Sequence, residues 1–598
     1  MADDGEQGPG GAGAEIERMA GGGSARTMPA RLTGVASAGT QRHYGPARMA
    51  DATPTEPPPA PPASVREMLE LRAAELGPQP FLTLPDATLT YADADELANR
   101  LAAVLVGLGY GAGDIVMVRA VNGWATVAAW FGCSKIGAVY LPLNALLTGE
   151  PLRQVMAHSR SRIVLVQAAL ARDVEAVRGG LPDLADVVVV GGPGGGAPRL
   201  DDLLDQASAA APAPLPEDPG APTKLLYTSG TTGVPKGAVW SRSCEALWGR
   251  CYGDELMPIE RGEAIYTCLP LFHVTCQGTL LATLWRGGRL TVDSGFSLLS
   301  FWPRIRRAEA VMFTFVGTIL SALARRPPHP SDLDNPVRQI LGGAAPADRW
   351  RDIEERFGVL IMETWGQTEV ASCYTWPSRG LPQPPGTVGM PSARWEARIA
   401  DDAGRPLGPE QPGELWVMPL APHVLFDGYL GDEGPSAPTR ECFTEDGWYR
   451  TGDLMAWTED GELSFVGRQR DAIRRAGEMI APSFIEEAAV GHPSIVEAAA
   501  VGVPAEDGID EEVLLCIVAA VGADLDLAEV ATFLRRVLPR YLVPRWLRVH
   551  DELPKTPTTR VRKFELRALG TADAWNTRQR RRAGPSVTEG PARPPPAL

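Results

Sequence analysis

The sequence has no apolar run of the ~18 residues that a membrane-spanning helix needs, and residues 1–50 hold no hydrophobic signal core. Cysteine is scarce. Eight in 598 residues, with no C-x-x-C pair and no zinc-like spacing, exclude a disulfide scaffold or zinc ribbon and read as free thiols in a reducing cytoplasm. A basic excess is also missing: the formal net charge is −16, whereas nucleic-acid binders carry a basic surface. The expectation is a cytoplasmic protein with no membrane span and no nucleic-acid partner. A polyphosphate ligand stays open, because a local nest of N–H groups and a few cations can hold one at any net charge.

What is present suits a multidomain globular protein. The length exceeds one core, so two or more domains are expected. Residues 1–63 are rich in Gly, Ala and Pro, ending near PTEPPPAPPA, and read as a disordered extension; residues 571–598, with RQRRR and PARPPPAL, read as a disordered tail. Between them, helical periodicity at 65–77, in 89–110 after a short strand and a turn, and at 125–137 alternates with apolar strands at 114–119, 138–143, 163–166 and 187–190. That alternation predicts an α/β fold with a mostly parallel sheet covered by helices on both faces. Past about residue 466 a smaller α+β unit follows over 469–570, with a helix near 483–490 and strands at 498–503 and 513–520.

Residues 227–237 read YTSGTTGVPKG. KLLY at 224–227 predicts a short buried strand before them, and 238–248 a helix after them, making the run a strand-to-helix loop. Gly230, Gly233 and Gly237 admit backbone N–H groups close to phosphate oxygens, while Thr228, Ser229, Thr231 and Thr232 add hydroxyl donors and Lys236 a mobile charge. The spacing is not that of the Walker loop.

Further motifs follow: LPLFHVTCQG at 269–278, LGGAAPAD at 341–348, ETWGQTE at 363–369, YRTGDL at 449–454 and FVGRQRDAIRRAGEMIAP at 465–482. In this order, from about residue 64 to 570, the set resembles the adenylate-forming superfamily of acyl- and aryl-CoA ligases, luciferases and peptide-synthetase adenylation domains. GRQRDAIRRAGE carries a narrower resemblance to carnitine/crotonobetaine-type and medium-chain acyl-CoA ligases. The resemblance implies a large N-terminal domain over 64–468 that binds AMP and the acid, and a small mobile domain over 469–570 that swings between half-reactions. It implies ATP, Mg²⁺ and coenzyme A as cofactors. Gly342, Gly343 and Ala344 would lie along adenine, with Trp365 as its aromatic partner and Gly366 and Gln367 beside it. Thr368 would stand by the α-phosphate and Glu369 would be the metal ligand, a hard oxygen donor suited to Mg²⁺. Asp453 would accept from both ribose hydroxyls, a two-oxygen acceptor for two adjacent donors. Arg468 would contact ribose or phosphate, Arg470 would be the hinge, and Gly477 and Glu478 would border the pantetheine arm. His273 would close over the carboxylate site, and residues 313–323 would line the acyl pocket. Acetate-specific relatives carry tryptophan at the position of Gly366, so glycine implies a larger acid.

The pattern breaks in LPKTPTTRVRKFELR at 553–567. Thr559 and Arg560 replace the usual glycine and lysine that deliver a cation to the α-phosphate; arginine keeps the charge with a different reach, and Lys563 lies three residues on. Met479 and Arg242 also depart from the common asparagine and histidine. The expected activity is ATP-dependent formation of an acyl-adenylate and transfer to the thiol of CoA. Three alternatives stay open: transfer to a carrier-protein thiol, activation of another oxyacid such as nitrite for diazotisation, and an ATP-binding pseudoenzyme.

Overall fold

The computed structural model describes residues 62–228, 236–377, 380–431, 437–468, 471, 473–475, 478–480, 482–505, 511–523, 525–540, 542–555 and 561–578. Residues 1–61 of the N-terminal extension lie outside them, as do the predicted site residues Ser229, Gly230, Thr231, Thr232, Gly233, Arg470, Gly477 and Arg560.

Thirteen strands build two sheets: β1 (Pro80–Thr83), β2 (Thr88–Thr90), β3 (Ile115–Arg119), β4 (Val139–Pro142), β5 (Ile163–Gln167), β6 (Asp186–Val190), β7 (Pro222–Thr228), β8 (Lys236–Ser241), β9 (Ala264–Thr267), β10 (Arg289–Val292), β11 (Ala310–Val316), β12 (Gln339–Gly343) and β13 (Leu360–Glu363). One sheet has the order β6-β5-β3-β4-β7-β8 and the other β13-β12-β11-β9-β10-β1-β2. Each is parallel except for its last pair, β7 with β8 and β1 with β2. Strands buried on both faces, such as Val139–Pro142, have the continuous apolar character of a covered parallel sheet. Helix Trp124–Ile136 is buried nearly all round, and Gly132 lets Leu101 of helix Tyr91–Gly107 approach. An antiparallel sheet of Trp395–Ala400, Gly413–Pro419, Tyr449–Trp457 and Leu463–Arg468 completes the large N-terminal domain.

The smaller C-terminal α+β domain has its own sheet, in the order Ile495–Pro504, Glu511–Ala519, Trp546–His550, Trp575–Asn576, packed by helices Pro482–Val490, Leu527–Val537 and Lys563–Ala568. Its core of Ile473, Ile485, Val513, Leu515, Val530, Leu534 and Leu547 is separate from that of the large domain.

Two local readings are corrected. Residues 238–241 belong to strand β8, and the helix starts only at Arg242, so the glycine-rich run joins two antiparallel strands. Ala238 and Trp240 are buried while Val239 bonds through its N–H to Gly428 O at 2.9 Å, so β8 is paired on both edges, which outweighs the helical propensity of the sequence. The tail begins later than residue 571: Trp575 pairs with Leu547, and Thr577 is buried with its hydroxyl donating to Pro544 O. A tryptophan there gives the chain apolar surface to dock.

Candidate active site

The phosphate-loop hairpin leaves Thr228 opposite Lys236 across β7 and β8. Lys236 Nζ sits 5.4 Å from the ring centre of Tyr429. The same phenol donates to Glu369 Oε1 at 2.7 Å, so one aromatic ring joins the loop's lysine to the predicted metal ligand. Burial, and then the Glu369 charge, push the Tyr429 pKa up and keep it a donor. The segment ahead of Glu369 is fixed by backbone: Trp240 Nε1 donates to Thr368 O at 2.9 Å, and Phe426 N–H to Glu369 O at 3.0 Å.

A second cluster surrounds Asp453, which is fully buried and stands directly across from Arg468 on the neighbouring strand. Its Oδ2 accepts from Trp365 Nε1 at 2.8 Å and Gln367 Nε2 at 2.6 Å, and its Oδ1 lies 2.6 Å from Arg468 Nε. Residues 365–369 therefore run from the Asp453 cluster to the Lys236–Tyr429–Glu369 cluster.

A tight turn closes a third side. Strand β12 ends in Gly342 and Gly343, and Ala344 follows with φ of 61°. A Cβ on Gly342 would lie 2.2 Å from Phe315 O, and one on Gly317 only 1.9 Å from Ala344 O, so glycine is sterically required at both. Ala344 and Ala345 donate their N–H groups to Glu363 Oε1 and Oε2 at 2.6 and 3.2 Å. Gln383, fully buried, clamps Glu363 by accepting its N–H and donating to its carbonyl. Burial pushes the Glu363 carboxyl up to about 7 against the opposing pull of the two amides. Stability from this group is therefore fully present below the ordinary carboxylate range and lost as pH rises through about 7. A Glu363→Gln protein should close the gap to, or overtake, the parent in urea denaturation between pH 4 and 8, by on the order of 3 kcal/mol. Parallel pH profiles for the two proteins would refute this.

His273 caps helix Val274–Arg286, its Nδ1 accepting from Thr275 N–H at 3.4 Å. Residues 313–323 split between the end of β11 and helix Gly317–Arg325. At Gly366 an added Cβ would meet only Tyr374 Cβ, at 3.7 Å, so the backbone does not demand glycine there. Glu478 opens the short strand Glu478–Ile480. Lys563 is ion-paired with Glu486 at 2.7 Å. A cleft of about 730 Å³ bordered by Tyr110, Asp114, His158, Arg160 and Arg162 contains none of these positions. Sequence reasoning missed Tyr429 and Glu363. The first could have been suspected from FDGYL at 426–430, where a tyrosine follows a glycine in an apolar run; the second is the opening residue of a motif whose later members drew the reading.

No cluster of three metal-ligating side chains occurs among the described residues. The donor set still suits Mg²⁺, which takes one or two carboxylates and completes its shell with phosphate oxygens and water.

Lys236 and Glu369 thus meet on one phenol, at the end of the strand pair that carries the glycine-rich run. The sequence profile of the AMP-binding enzyme family matches residues 69–430, and that of the AMP-binding enzyme C-terminal domain matches residues 485–560. Sulfoacetate–CoA ligase of Cupriavidus necator is 33% identical over 513 residues, covering 83% of this chain and 96% of the relative. Crotonobetaine/carnitine–CoA ligase of Salmonella paratyphi A is 27% identical, covering 80% and 93%. Among solved structures, the anthranilate CoA ligase AuaEII in complex with anthranoyl-AMP superposes with a TM-score of 0.76 at 22% identity, over 86% of this chain and 98% of that one, a likeness of fold. The chain belongs to the AMP-binding, adenylate-forming enzyme family. The acyl-CoA ligases of this family use ATP, Mg²⁺ and CoA.

Proposed function

We propose that the chain activates a carboxylic acid larger than acetate as its acyl-adenylate and transfers the acyl group to the thiol of CoA. The observation that carries this is the meeting of Lys236 and Glu369 on the Tyr429 ring, which supports reading the lysine as the phosphate cation and the carboxylate as the metal ligand. In the first half-reaction a carboxylate oxygen attacks the α-phosphorus and pyrophosphate leaves. In the second, the CoA sulfur attacks the acyl carbon, the thiol proton is lost and AMP leaves.

Roles follow from position. Lys236, with the hydroxyls and amides of residues 228–233, would hold the β- and γ-phosphates; Mg²⁺, held by Glu369, would neutralise charge on the same oxygens. Ribose at Asp453 would exchange a hydroxyl for one of the donors from Gln367 or Arg468, and adenine would lie between the Gly342–Gly343–Ala344 turn and Trp365. Thr368 would donate to the α-phosphate and His273 would face the acid. Arg560 would supply the cation that relatives take from lysine. Arg470, Gly477 and Glu478 belong to hinge and thiol side by their place in the motif. A free Gly366 Cβ position supports the larger acid.

The test is pyrophosphate release from ATP and Mg²⁺ over a panel of sulfoacetate, indoleacetate, hydroxybenzoate, fatty acids, acetate and nitrite, followed by mass detection of acyl-CoA. The parent should be active on at least one acid larger than acetate. Arg560→Lys should remain within about tenfold of it, and Arg560→Ala should fall by about two orders of magnitude, the cost of one transition-state cation. Activity with nitrite alone, or ATP binding without turnover for any acid, would overturn the reading.

A further inference from the structure

The hairpin that carries the phosphate loop is held at its base by a charged cage inside the core. Lys224 Nζ lies 2.7 Å from Glu245 Oε1, 3.9 Å from the centre of the Trp130 ring, and 5.4 Å from those of Trp240 and Trp248. The lysine is 0% exposed and the glutamate 2%. Glu245 also accepts from Trp130 Nε1 at 2.6 Å and from Thr223 Oγ1 at 2.9 Å. The cage thus ties β7, β8, helix Trp124–Ile136 and helix Arg242–Cys251 to one ion pair.

Such a pair is weak evidence for stability, because desolvating two charges offsets most of their attraction. Its directional contacts instead fix geometry, which uniform apolar packing does less sharply. What they fix here is Trp240. That ring meets Trp248 edge-on, at 4.9 Å and 88°, and lies over the Lys224 ammonium. Its indole N–H points out of the cage to Thr368 O, immediately before Glu369. Trp240 and Lys236 share one strand, four residues apart, so their side chains emerge on the same face.

We propose that Trp240 is a positioning residue for adenylation: its N–H anchors Thr368, and so holds the Glu369 carboxylate at a set distance from Lys236, while the Lys224–Glu245 cage orients the indole. The proposal rests on the adenylation reading above. Glu369 is also reached by Tyr429, so losing the Trp240 bond should loosen the metal site without abolishing it.

The experiment titrates free Mg²⁺ at saturating ATP and acid, reading pyrophosphate release. Trp240→Phe keeps most of the ring and removes the donor. The half-saturating Mg²⁺ concentration should rise about five- to tenfold, as expected for one lost hydrogen bond, while kcat at saturating Mg²⁺ stays within about twofold and the KM for CoA is unchanged. A purely structural role would lower the thermal midpoint and the active fraction without moving the Mg²⁺ curve. Lys224→Met/Glu245→Leu replaces the pair by apolar groups of similar size, a change that buried pairs commonly tolerate, and serves if Trp240→Phe fails to fold. It retains Trp240 but not its orientation and should move the curve in the same direction. A Mg²⁺ curve superimposable on the parent's, in either folded variant, overturns the proposal. Silence from the parent on every acid would overturn the adenylation reading, and this proposal with it; an active parent with unmoved variants would overturn the Trp240 assignment alone.

Discussion

The Asp453→Ala enzyme is expected to lose roughly 100-fold in kcat/KM for ATP, since the change strands buried donors that each cost about 1–3 kcal/mol unpaired. The carboxylate is fully buried and receives Trp365, Gln367 and Arg468 at 2.6 to 2.8 Å. Without it, the indole N–H has no acceptor, the Gln367 amide retains Thr451 O at 3.0 Å, and the guanidinium faces an uncharged pocket. Because residues 365–369 run on from this cluster to Glu369, disorder there propagates toward that carboxylate. Asp453→Asn, which keeps the shape and one acceptor, should lose less. Steady-state pyrophosphate release with ATP varied at saturating acid checks both; an unchanged kcat/KM for ATP would show that Asp453 is remote from the nucleotide.

The second large effect concerns stability. Lys224→Met should destabilise the large domain by about 3–5 kcal/mol, the usual result of removing one member of a buried ion pair. Glu245 would remain 2.9 Å from Thr223 Oγ1 and 2.6 Å from Trp130 Nε1, two neutral donors for a charge that had an ammonium. Lys224→Met/Glu245→Leu should recover most of the loss, since the partnerless charge has gone. Urea denaturation followed by tryptophan fluorescence checks this; Trp130, Trp240 and Trp248, three of the chain's 15 tryptophans, border the cage. Equal destabilisation by the single and double replacements would contradict this account.

The alternation of helices and apolar strands was readable, because a covered parallel sheet imposes continuous runs such as VYLP and IVLVQ that need no tertiary information. So were the motifs around Gly342, Trp365 and Asp453. Asp453 and Arg468 are close in sequence and face each other across one hairpin, whereas Trp365, 88 residues from Asp453, is brought to it only by the fold. The β8 edge of the six-stranded sheet was not readable. Residues 238–241 take their strand character from pairing with β7 on one edge and with residues 427–430, far along the chain, on the other, which overrides their local preference. Tyr429 was missed for the same reason, since its link to Glu369 depends on that pairing. Lys224 gave a signal that passed unused: a lysine in an otherwise buried strand KLLY calls for a buried carboxylate, and helix 242–251 holds one in Glu245.

Strand β8 carries Lys236 at one end and Trp240 near the other, and its pairing on both edges makes it an internal ruler of about 13 Å. A ruler tolerates substitution better than a change of length. Deleting or inserting one residue between the two would turn one of them to the opposite face, parting Lys236 from the anchor of Thr368 and Glu369 in a single step. Indels are therefore expected to be excluded from residues 236–240 in any working variant of this chain, even where side chains such as Val239 drift.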